Sequence, residues 1–233
     1  MQSGLILQTL CMHTFCEPVT LGLSGGALLG ALLGNAFVGA LMQGVLLIMV
    51  PRRHVLIVGV TLGSMLTSCA LIVLTAQHRG FETFHWLFGA LNNSWSSAIA
   101  LGVTACVNYL VSLRFCPQLD LLLLGADHAR ALGLKTKRLF VLLMLKESLV
   151  VAVTVSQGGL IGSLGLVVPV VARRLSGTYL HRVNFHYGAL LGSGALLVAD
   201  FGAHTLLRPE VIPVGIMLNL LLAPFLCLNH AWK

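Results

Sequence analysis

Charge is what this sequence has least of. Asp, Glu, Lys and Arg make up only 9% of its 233 residues, 7 of them acidic and 14 basic. An ordinary soluble domain carries roughly 25% charged residues, so the chain lacks the polar surface that a water-soluble globule requires. Its six cysteines (Cys11, Cys16, Cys69, Cys106, Cys116, Cys227) include no CxxC pair, and its nine histidines include no HxH or HxxxH pair. No metal site is therefore expected, no cofactor is implied, and the cysteines read as small apolar packing residues. A cleavable signal pattern is absent too, because Met1 opens directly into sequence resembling the interior of a helix. Without low-complexity tracts or long linkers, residues 1–233 read as a single membrane domain.

What fills the chain is apolar sequence. Apolar residues account for 57% of it, and the mean hydropathy is +0.94. Several runs approach the ~20 residues that cross a bilayer as a helix. The expected class is an all-α polytopic membrane protein. The net charge of +7 does not indicate nucleic acid, since the cations lie between apolar spans, where they mark the cytoplasmic side of a membrane.

The apolar runs predict a helix end at 1–12, a break from His13 to Thr20 around Glu17-Pro18, and spans at 21–36, 37–51, 55–77 and 97–114. A polar segment follows at 115–137, then spans at 138–156, 160–174, 185–206 and 211–230. With 115–137 inside, Arg52, Arg53, Arg114, Arg130, Lys135, Lys137, Arg138, Arg173, Arg174, Arg182 and Lys233 are also inside. Only Arg79 and Arg208 fall outside. That asymmetry obeys the positive-inside rule and places the C-terminus in the cytoplasm. Trp86 and Trp95 then read as anchors at the outer interface.

Gly22, Gly26, Gly30 and Gly34 recur every fourth residue, a spacing expected to form one helix face that a neighbouring backbone approaches closely. The segment 115–137 is expected to hold two short helices joined around Gly125-Ala126-Asp127. It suits either docking of a soluble partner or an amphipathic connector lying among headgroups. Lys146 and Glu147, adjacent within a span, point about 100° apart on a helix and are expected to find separate partners. Asp200 has His204 one turn away as a hydrogen-bonding neighbour.

The stretch DLLLLGADHARALGLKTKRL resembles the cytoplasmic coupling segment of FecCD-type ABC permeases, importers of ferric siderophores, haem and cobalamin. Gly125, Asp127, Ala129, Arg130, Leu132 and Gly133 match its pattern, and Ala126 replaces an acidic residue. SGLILQTL with EPVTLGLSGGALLGALLG, WLFGALNNSWSS, GLIGSLGLVVPVVARRL, YGALLGSGALLVADFGAH and IPVGIMLNLLLAPFLCL resemble further blocks of that family in the same order. The resemblance implies about eight transmembrane or membrane-embedded helices of the family's ten-helix permease fold, in the bacterial cytoplasmic membrane. It implies a homodimer or a paired sister permease, cytoplasmic ATP-binding subunits and an extracytoplasmic substrate-binding protein, with the lipid bilayer as surroundings.

On that resemblance, Gly125, Asp127, His128, Ala129, Arg130, Leu132, Gly133 and Leu134 form the ATPase-coupling segment. Gln8, Glu17, Pro18, Gly22, Gly26, Gly30, Gly34, Gly165, Pro169, Asp200, Pro213, Gly215 and Pro224 serve helix packing or the pathway. Catalysis of ATP hydrolysis belongs to the separate ATPase. The chain departs from the pattern at His13-Thr14, Val170, His204 and Glu210, and it is expected to lack the family's first helix and part of the second. Two other readings stand beside the importer: a truncated, non-transporting remnant, and a proton-coupled secondary transporter working through Lys146, Glu147 and Asp200.

Overall fold

The computed structural model describes residues 1–77, 86–89, 94–206 and 212–230, the side chains of 225–230 excepted. Arg79, Arg208, Glu210, Lys233 and the Cys227 side chain lie outside the described residues, as does part of WLFGALNNSWSS. The described residues contain helices and no strand. This is the outcome apolar composition demands, because a chain in lipid must satisfy its backbone groups within each segment.

Helices α1 (Gln2–Cys11), α2 (Leu23–Leu32), α3 (Ala36–Met49) and α4 (Val55–Ala76) are followed by α5 (Trp95–Leu123). Then come the short α6 (Ala126–Ala131), α7 (Thr136–Gly158), α8 (Leu164–Ser176), α9 (His181–Thr205) and α10 (Val214–His230). Among the described residues, three stretches are long and apolar enough to cross a membrane: Arg52–Ala76, Trp95–Leu123 and Thr136–Gly158.

Helix α1 packs against α5, α7, α8 and α9. Every residue from Ser3 to Leu10 is buried, the polar Gln8 and Thr9 among them, and the side chains of these two meet Arg173 and His181. Met12 ends it in the left-handed conformation (φ 55°), and its N–H bonds back into the helix. The break to α2 then runs through Glu17-Pro18 and Gly22.

The glycine row does not lie along one face. Gly22 precedes α2 in a left-handed conformation (φ 72°) and meets α4, where a Cβ on it would stand 2.5 Å from the Gly63 Cα. Gly26 and Gly30 instead face α3, against Gly39, and Gly34 (φ 112°) has open space beside it. The four-residue spacing is real in sequence, but the helix occupies only its middle. Asn35 caps α3, its side-chain oxygen accepting the N–H groups of Phe37 and Val38.

Candidate docking segment and the polar joints behind it

The segment 115–137 holds one short helix, not two. Helix α5 continues through Pro117 to Leu123. Proline removes one backbone donor but is tolerated where neighbouring helices support the backbone. Gly125 (φ 103°, ψ 148°) turns the chain into α6, and Gly133 (φ 85°) turns it out again. The Leu134 N–H donates to the Ala129 carbonyl at 3.0 Å and closes the loop.

Only Ala129 of α6 is fully buried. Asp127, His128, Arg130, Leu132 and Gly133 are exposed. Arg130 Nη1 donates to Asp127 Oδ1 at 3.0 Å, while Arg130 Nε reaches the Thr136 hydroxyl at 3.3 Å. Leu123, Leu124 and Leu132 add exposed apolar surface. Arg53, Lys135, Lys137 and Arg138 are exposed as well.

The segment stands on a fixed base. The Arg52 guanidinium donates to the Thr136 carbonyl at the start of α7 and lies 4.9 Å from the Phe140 ring centroid, a cation–π contact. Behind it, Asp120 on α5 accepts the backbone N–H of His181 at 2.9 Å and faces its Nδ1 at 2.6 Å. His181 Nε2 lies 2.8 Å from the Thr9 hydroxyl on α1. Sequence reading missed this joint, whose members stand 61 and 172 positions apart.

Other expected residues fall into separate places. Glu17 is buried, and its carboxylate lies against Gly165 in the first turn of α8, where a Cβ on the glycine would stand 3.1 Å from Oε2. Gln8 accepts from Arg173 on α8, and Gly4 packs directly on the Gly165 carbonyl. Glu17, Pro18 and Gly165 thus meet in the first turn of α8, while Gln8 contacts α8 further along, at Arg173. Pro18, Glu17 and Gly165 also line an apolar cavity of about 670 Å³ among α1, α5, α7, α8 and α9.

Pro169 is buried inside α8. Pro213 and Gly215 sit at the start of α10, where Gly215 abuts Phe88, and Pro224 lies inside α10. Asp200 faces His204, whose Nδ1 is 2.9 Å from the Asp200 carbonyl and 3.5 Å from Oδ1.

Lys146 and Glu147 do pair, against expectation. Nζ lies 2.7 Å from Oε1 and donates to the Ser112 hydroxyl at 2.7 Å. Neither Glu147 oxygen receives a hydrogen bond of good geometry, so the contact is a close charge pair bent around one turn of backbone. Side-chain bending overcame the angular separation because a charge buried in lipid is costly unpaired. Trp86 packs half-buried against the core, and its carbonyl accepts the Leu160 N–H at 2.9 Å. Trp95, 85% exposed, stands open at the start of α5. Five cysteines are described, all free, and no cluster of metal-ligating side chains occurs among the described residues.

Apolar helices long enough to cross a bilayer, several of them packed on glycine contacts, make this a polytopic α-helical membrane protein. The profile of the FecCD transport family matches residues 2–230, and the chain belongs to that family.

Among similar proteins is the cobalamin import system permease of Halobacterium salinarum, 30% identical over 96% of this chain and 66% of the relative. The hemin transport system permease of Yersinia pestis is 30% identical over 96% of this chain and 75% of the relative. A solved metal-chelate type ABC transporter in an inward-facing conformation shares the fold with a TM-score of 0.87. It is 23% identical and is covered over 81% of its length by 99% of this chain.

Proposed function

We propose that the chain is the membrane-spanning permease subunit of an ATP-driven importer carrying an iron-siderophore, haem or cobalamin-type substrate across the bacterial cytoplasmic membrane. Gly125 to Leu134 dock a cytoplasmic ATP-binding subunit. A second permease, identical or a sister chain, completes the channel, and an extracytoplasmic binding protein delivers substrate. The C-terminus lies in the cytoplasm. Chemistry is left to the ATPase, and the permease supplies only mechanical response.

One observation carries this reading. The helix Ala126–Ala131 projects its polar face outward while Gly125, Gly133 and the Arg52–Thr136 bond hold its ends. A loose connector among headgroups would need neither the two glycine turns nor a braced base. Exposed Leu124 and Leu132, with the exposed cations Lys135, Lys137 and Arg138 following in sequence, suit a partner surface that offers apolar and acidic groups. The proton-coupled alternative loses support because Lys146 is held by both Glu147 and Ser112, while Asp200 faces His204.

The test is co-purification from detergent with the ATPase subunit. The wild type is expected to retain it, and Arg130→Glu or Gly125→Arg to release it. Full retention by both folded variants overturns the assignment of this segment.

A further inference from the structure

We infer that the Asp120–His181–Thr9 joint transmits movement of the docking segment into the helices of the bundle interior, with His181 as its positioning residue. This rests on the docking role proposed above.

Asp120 lies on the last turns of α5, shortly before Gly125. Its Oδ1 takes both the backbone N–H and the ring of His181. One carboxylate therefore caps α9, which has no side-chain cap of its own, and fixes the imidazole. A carboxylate only accepts, so Nδ1 carries the proton toward it. The other ring nitrogen meets the Thr9 hydroxyl at 2.8 Å, itself 3.0 Å from the Leu5 carbonyl inside α1. His181 is 3% exposed and Thr9 7%, so no water replaces a partner that moves away, and a broken bond leaves a buried polar group unmet. Phe185 holds the ring edge-on at 5.9 Å.

The elements that the joint reaches are themselves tied together. Arg173 on α8 donates to Gln8 on α1. The turn between α8 and α9 is set by Asn184, whose amide donates to the Thr178 and Leu180 carbonyls at 2.9 and 3.1 Å, and by the Ser176 hydroxyl donating to Asn184 at 2.8 Å. A shift at the end of α5 therefore either carries α1, α8 and α9 with it or breaks a buried charge-assisted bond. The bonded chain is a contiguous physical link, and the helices it ties together, α1, α8 and α9, line the cavity further along their length, through Ser3, Gly165 and Ser193.

The test uses the permease with its ATPase in liposomes, native cysteines replaced and Ser193→Cys introduced. A maleimide labels this cysteine with and without Mg-ATP. In the wild type, ATP is expected to change the labelling rate. His181→Ala and the isosteric Thr9→Val should still bind the ATPase and hydrolyse ATP, while the ATP-dependent change in labelling shrinks about tenfold, the factor that one lost charge-assisted bond implies. His181→Asn, which keeps a donor for Asp120, should recover part of it. Because hydrolysis and labelling are measured on the same particles, general loss of folded protein lowers both and leaves their relation unchanged. An unaltered ATP response in both His181→Ala and Thr9→Val overturns the inference, as does a wild type that hydrolyses ATP without any labelling change. A wild type that never binds the ATPase overturns the docking role as well.

Discussion

Replacing Gly125 by alanine isolates backbone conformation from space. A Cβ there would meet nothing closer than His128 Nδ1 at 3.7 Å, ordinary van der Waals distance, so no side chain need move. The whole penalty comes from φ 103° and ψ 148°, a region that residues with a Cβ occupy at a cost of about 1–3 kcal/mol. Relief of that strain requires the turn to rotate, and α6 rotates with it away from its docking orientation. If the cost falls on the complex, affinity for the ATPase subunit drops by roughly 5- to 150-fold.

Titration of the immobilised permease with purified ATPase subunit reads this directly, with the thermal midpoint confirming a folded protein. Gly102→Ala is the matched control. Gly102 has open space around it and no positive φ, and alanine in the middle of α5 should be neutral or stabilising by up to about 1 kcal/mol. Binding by Gly125→Ala as tight as wild type, or equal losses in both variants, would refute the reasoning.

Gly63→Ala places a Cβ 2.5 Å from the Gly22 Cα and should cost at least about 1–3 kcal/mol through overpacking, seen as a lowered thermal midpoint in detergent. An unchanged midpoint denies the close approach of α4 to the start of α2. Lys146→Met leaves the fully buried Glu147 without its partner and should destabilise by about 3–5 kcal/mol, with much of that recovered in Lys146→Met/Glu147→Gln. The single and double variants melting alike would contradict the pair. Arg52→Gln removes the contacts to Thr136 and Phe140. Hydrogen exchange over residues 125–136 should then accelerate by about tenfold or more, and unchanged protection would show that the base does not brace the segment.

The legible parts of this fold were those written in local sequence. Apolar runs located α4 at Val55–Ala76 almost to the residue, because a spanning helix needs its length and hydropathy in one continuous stretch. Glu17-Pro18 announced the break after α1, since proline and the residue before it resist helix. The polar composition of 115–137 misled: it put the end of the span at 114, whereas α5 continues through Pro117 to Leu123.

Glycine spacing correctly foretold close packing but not its partners. Gly22 faces Gly63, and Gly26 faces Gly39, distinctions that depend on where α2 begins. The polar joints were least legible. Asp120, His181 and Thr9 carry no local signature, and only the folded bundle brings them within hydrogen-bonding distance. Lys146 and Glu147 were visible as a problem in sequence, but their bent pairing depended on the space between α5 and α7.

The account turns on which side of the bilayer presents α6. With Asp127→Cys in a background free of native cysteines, a membrane-impermeant maleimide is applied to intact cells and to inside-out vesicles. Labelling confined to the vesicles, and blocked there by bound ATPase subunit, is the result expected of a cytoplasmic docking helix. Labelling in intact cells would contradict it.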